Sequence, residues 1–69
     1  MEIRRINLTN GNFVRIGDFV TESHEAKEYE VTGFRLFDGG YSVYHNELMV
    51  AWIPFHSVTM VFLEVENEF

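Results

Sequence analysis

The sequence predicts an all-β fold, a single small antiparallel β-barrel of five to six strands with a 3-10 turn before the last strand. Three observations carry that prediction. Short apolar runs rich in Val, Ile, Phe, Tyr and Trp follow one another closely, as strands do. Asn10-Gly11 and Asp38-Gly39-Gly40 stand between them, and such residues supply the positive φ that hairpin turns need. At 69 residues the chain is one domain, 1–69, with a thin core. Closure into a barrel would remove the sheet edges it cannot otherwise cover.

Each element follows from local pattern. Glu2 to Leu8 reads as a first strand, and Thr9 to Asn12 as a turn. Phe13 to Val20 is a second strand, kinked at Gly17-Asp18. Thr21 to Glu28 reads as a loop with one helical turn: Thr21 or Ser23 can cap it, and Ala26 and Lys27 are good helix formers. Glu28 to Phe37 is a third strand, with Gly33 as a bulge. After Asp38-Gly39-Gly40 come a fourth strand, Tyr41 to His45, a turn at Asn46-Glu47, and a fifth strand, Leu48 to Ile53. Pro54 ends that strand because proline cannot donate to a ladder. Phe55-His56-Ser57 is the 3-10 turn, and Val58 to Val65 the last strand. The acidic tail, Glu66 to Phe69, is expected to fray.

Composition bounds the function classes. Hydrophobic residues make up 46%, too many for a disordered chain. The formal charge of −6 disfavours duplex nucleic acid, whose phosphates an acidic surface repels. With no cysteine there are no disulfides, thiolate nucleophiles or cysteine zinc sites, which fits a cytoplasmic protein. No targeting segment is visible. Leu48 to Leu63 carries no charged residue but is shorter than the roughly 20 apolar residues of a spanning helix. It reads as two strands, so no membrane partner is expected.

Two passages resemble a known architecture. "IGDFV" (Ile16 to Val20) is similar to the Gly-Asp-x-Val entry of Src-homology-3-like barrels. "AWIPFHSV" (Ala51 to Val58) resembles the strand, Ile-Pro, 3-10 turn and Val of the same folds. The resemblance spans about residues 12 to 62 and implies a fold, not a family. The proline-peptide signature of Src-homology-3 domains is missing. "INLTNGNFVRIG" is similar to the first strand pair of Sm-like ring proteins, though one residue too long and without their "IRG". Neither resemblance implies functional residues here.

Chemistry-bearing constellations are sparse. His24, His45 and His56 fall on different segments at spacings that force no metal site, so neither metal nor cofactor is expected. Ser57 follows His56, but adjacent residues rarely face each other and no third group is evident; no catalytic residue is assigned. Glu22, Glu25, Glu28 and Glu30 form an acidic face able to dock on a basic protein partner. Both faces of the strands at 48–53 and 58–65 are apolar, whereas a barrel has one interior. The second face, with Met49, Ala51, Ile53, Val61 and Leu63, is assigned to an interface between copies of the chain.

The expectation from these features is a freestanding, non-catalytic binding protein acting as a homo-oligomer. In the first form it is an inhibitor or adaptor docking through the acidic face, as viral and mobile-element inhibitors do. In the alternative, pockets between subunits hold a small nucleotide-like ligand. Tyr29, Tyr41, Tyr44 and Trp52 would stack on a base, and Arg15 and Arg35, with Arg4 and Arg5, would meet phosphates. Trp52 is expected to be buried, in the core or at an interface, with its indole N–H bonded.

Overall fold

The computed structural model describes residues 2–64, which form eight strands and one 3-10 turn. In chain order these are β1 (Ile3–Leu8), β2 (Phe13–Arg15), β3 (Phe19–Glu22), β4 (Lys27–Glu30), β5 (Gly33–Phe37), β6 (Gly40–His45), β7 (Leu48–Pro54), the 3-10 turn (Phe55–Ser57) and β8 (Val58–Leu63). All pairings are antiparallel. They build a three-stranded sheet, β2-β1-β8, a two-stranded hairpin, β3-β4, and a second three-stranded sheet, β5-β6-β7.

The all-β class is as expected; closure into a barrel is not. The sheets stay separate, because two of the predicted strands are each broken in two. Phe13 to Val20 splits at Gly17, whose φ of 93° no strand residue adopts. Asp18 fixes the break, its carboxylate accepting the Arg15 backbone N–H at 2.9 Å. Glu28 to Phe37 breaks at Val31-Thr32. There Val31 is buried and exchanges backbone hydrogen bonds with Gly17 and Asp18, at 2.9 and 2.8 Å. Leu36 shows the open side. Its register partner Tyr41 shares a face with buried Val43, yet Leu36 is 69% exposed.

The helical turn expected within Thr21 to Glu28 is instead a β-hairpin. Glu22 pairs with Lys27. The Glu22 carboxylate accepts the backbone N–H groups of His24 and Glu25, at 2.7 and 2.8 Å, and so satisfies the loop internally. Ala26 takes a φ of 53°, which closes the loop and which a helix would not allow.

Other boundaries agree with the sequence. Asp38 and Gly39 both have positive φ, as the tight turn between β5 and β6 requires. Pro54 is the last residue of β7, an edge strand where its missing N–H costs no ladder bond. The 3-10 turn before β8 lies where predicted. Val65 and the tail, Glu66 to Phe69, lie outside the described residues.

The core of the described residues is small. Ile6, Val31 and Val43 are its buried apolar side chains. Ser42 is buried too, on the other face of β6 from Val43, and its hydroxyl donates to the Arg35 carbonyl at 3.2 Å.

Candidate functional site

Register decides which side chains face outward. In β2-β1-β8, Ile6 lies opposite Val14 and Val61, and this is the buried side. On the other side Arg5 lies opposite Arg15 and Phe62, and Asn7 opposite Phe13 and Met60. That outward face therefore presents three exposed apolar side chains, Phe13, Met60 and Phe62, around two arginines. The Arg5 guanidinium lies 4.0 Å from the centre of the Phe13 ring and 5.5 Å from that of Phe62. Arg15 lies 5.0 Å from the Phe13 ring. The Arg5 Nε–H donates to Asn7 Oδ1 at 2.7 Å, so the side chain is held at both stem and head.

A bulge brings in a third arginine. Ile3 pairs with Leu63 and Arg5 with Phe62, which leaves Arg4 as the extra residue. Strict alternation would send Arg4 and Arg5 to opposite faces. The bulge re-aims the strand, and both line one cleft of about 570 Å³ with Arg15, Ile16, Gly17, Asp18, Phe62 and Leu63. A neighbouring cleft of about 490 Å³ shares Arg4 and Ile16 and extends to Arg35 and Tyr44. Four of the chain's five cations thus line adjoining clefts. Arg4 is paired with Glu64 at 3.2 Å, and Arg15 with Asp18 at 3.2 Å. Arg15 holds the Asp18 carboxyl below the usual aspartate range, chiefly by its side-chain hydrogen bond, with slight burial acting the other way.

The β5-β6-β7 sheet has an outward face of its own. Ser42 lies opposite Arg35 and Trp52, and Tyr44 opposite Gly33 and Met49. Arg35 stands 4.8 Å over the Tyr44 ring. Trp52 lies across Gly40 and donates its indole N–H to the Phe37 carbonyl at 2.9 Å. The expected indole bond is present. The side chain is nevertheless 45% exposed, which removes it from the core. Burial was expected from the apolar run around it, but the parity of β7 turns Trp52 away from Val43.

The six residues assigned to a ligand divide by face. Arg35, Tyr44 and Trp52 stand together on the outward side of β5-β6-β7, while Arg15 belongs to the arginine cleft. Tyr41 is on the opposite side, edge-on to Phe55 at 5.3 Å. Tyr29 sits on the hairpin, its ring 5.6 Å from that of His45.

The acidic residues are not one face. Glu22 is occupied by the hairpin loop and Glu25 lies in that loop. Glu28 and Glu30 pair with Thr21 and Phe19, so these two carboxylates share one side of the hairpin with Phe19, which is 64% exposed and directly opposite Glu30.

The residues assigned to a subunit interface need reordering. Ala51 and Val61 are opposite Val43 and Ile6, and Ile53 is opposite Tyr41, so all three point inward and are half-buried. Met49 and Leu63 are exposed. The outward apolar residues that sequence reasoning passed over are Phe13, Phe37, Met60 and Phe62. For Phe13 and Phe62, their spacing of two from Arg15 and Met60 was the available signal.

The histidines lie apart, at the hairpin loop, the end of β6 and the 3-10 turn. His45 Nδ1–H donates to the Glu30 carbonyl at 2.9 Å and helps fix the hairpin to the sheet. Among the described residues, no three His, Asp or Glu side chains come together as metal ligands. No described helix is long and apolar enough to cross a membrane.

No family model matches the sequence, and no curated protein or solved structure matches it either. The class that the structure establishes is a small all-β protein of several antiparallel sheets.

Proposed function

We propose that the chain is a non-catalytic binding protein that works as a homo-oligomer. One observation carries this reading: the apolar surface is outside. Three apolar side chains are fully buried, while Phe13, Phe37, Met49, Trp52, Met60 and Phe62 all stand exposed on the outward faces of the two sheets. A chain with so little core needs its cover at the moment of folding, and a second copy is the one partner present whenever it is made.

The test is light scattering on a sizing column at micromolar concentration. The expected mass is at least two chains. Met60→Glu, which places a charge on the outward face of β2-β1-β8, should lower that mass. A wild-type monomer across the micromolar range overturns the proposal.

A second reading, docking on a basic protein through the hairpin, is favoured by exposed Phe19 on the same side of the hairpin as Glu28 and Glu30. It requires that Glu28→Lys with Glu30→Lys abolish capture of a partner from lysate while the oligomer mass stays the same. Equal capture by the variant rejects it.

A further inference from the structure

We infer that the cleft formed by Arg4, Arg5 and Arg15 binds the phosphate group of a small molecule. The inference rests on the reading of the chain as a binding protein and assigns it a ligand class.

Charge placement is the first argument. The chain carries five cations against eleven carboxylates, yet three arginines line one cleft. Arg5 and Arg15 are directly opposite across β1 and β2, where like charges repel. Phe13, at 4.0 and 5.0 Å from the two guanidinium groups, holds both in place. Asp18, bonded to Arg15 and also in the field of Arg5, offsets one of the two charges, and an anion in the cleft would offset the other.

Hydrogen-bonding capacity is the second. Asp18 lines the cleft and engages Arg15; Glu64 engages Arg4. Among the described residues no carboxylate lies within ion-pair distance of Arg5, whose one side-chain bond uses Nε. Its terminal N–H groups have no hydrogen-bond partner among the described residues. The Arg4–Glu64 pair is about half exposed on both sides, so exchanging Glu64 for a ligand oxygen costs little.

The third argument is the bulge. It spends one residue of a six-residue strand to place Arg4 beside Arg5. Several forks on one side suit a phosphate, which offers up to three terminal oxygens and more charge than a carboxylate. The cleft volume of about 570 Å³ fits a small molecule. The adjoining cleft leaves room for its remainder beside Tyr44 and Arg35.

The experiment is an amide NMR titration of the whole chain with inorganic phosphate, pyrophosphate, ADP and a short single-stranded oligonucleotide. Saturable shifts are expected at residues 4–6, 15–18 and 62–63, with pyrophosphate or ADP binding more tightly than phosphate. Arg5→Gln should weaken binding about tenfold, the loss of one charge-assisted fork. Arg5→Lys keeps the charge and the stem on the rings, and should still weaken it; this variant carries the test if the glutamine variant fails to fold. Lys27→Gln, on the hairpin, should leave binding unchanged. No saturable shift at millimolar pyrophosphate overturns the inference, as do shifts shared equally with Lys27. Tighter binding of the oligonucleotide than of ADP overturns the small-molecule assignment. Light scattering on the same samples separates the two proposals. An oligomer that ignores phosphates removes only the ligand, and a monomer that binds them removes only the assembly.

Discussion

Gly40 leaves no room for a methyl group. A Cβ there would strike the Ile53 carbonyl oxygen and lie 2.9 Å from the Trp52 indole. Gly40→Ala should therefore destabilise the protein by roughly 1–3 kcal/mol and displace the indole. Urea unfolding together with tryptophan emission would show both; an unchanged midpoint would contradict the packing of Trp52 on Gly40. Asp18 gives a pH-dependent counterpart. Its folded pKa lies below the ordinary value because Arg15 donates to the carboxylate, so the contact stabilises above the unfolded pKa. That stability is lost as pH falls through the lowered folded value. Asp18→Asn should be less stable than wild type at neutral pH, and the gap should vanish in strong acid. A gap that persists below the folded value would mean that charge is not its source. Neither contact was legible beforehand. Gly39-Gly40 reads as a turn from sequence, and only the register shows that Gly40 is a strand residue under an indole.

At the scale of elements, the turns were legible and the breaks were not. Asn10-Gly11 and Asp38-Gly39 announce themselves through residues that tolerate positive φ. The β3-β4 hairpin hides, because Ala26 and Lys27 favour helix and the chain chooses against them. What overrides that preference is pairing of Phe19 to Glu22 with Lys27 to Glu30, a contact that local propensity cannot express. The choice leaves a strained residue. Ala26 at φ 53° should be improved by glycine, and Ala26→Gly should stabilise the hairpin by about 0.5–1 kcal/mol. Hydrogen exchange at the β3 and β4 amides is the measurement; faster exchange in the variant would show that the strain is not there.

For the whole molecule, the two-faced apolar strands were legible in the sequence, but their parity was not. Buried Val43 and Ile6 fix which faces point inward, and those two residues have no special signature in the sequence. The consequence concerns Trp52. If copies meet through the outward face of β5-β6-β7, dilution should red-shift Trp52 emission in step with the fall in mass. Emission that stays constant while the mass falls would move the interface to the β2-β1-β8 face. The barrel resemblance led toward closure for a related reason. The passages at Ile16 to Val20 and Ala51 to Val58 describe corners, and corners do not say whether the sheets between them join.

The pairing of β1 with β8 also governs the order of events in folding. It joins positions as distant as Arg4 and Glu64, sixty residues apart, whereas β5, β6 and β7 pair with neighbours along the chain. Closing so long a loop is entropically slow, and the local meander should form first. During synthesis β1, the central strand of its sheet, waits without its second partner until β8 has emerged, its arginines and its apolar side both in water. Joining the two ends by a short linker and opening the chain in the loop Ser23 to Ala26 would make that pairing local. Such a circular permutant should refold faster than the natural order while keeping the same sheets. Refolding at an unchanged rate would mean that the rate-limiting step lies in the meander.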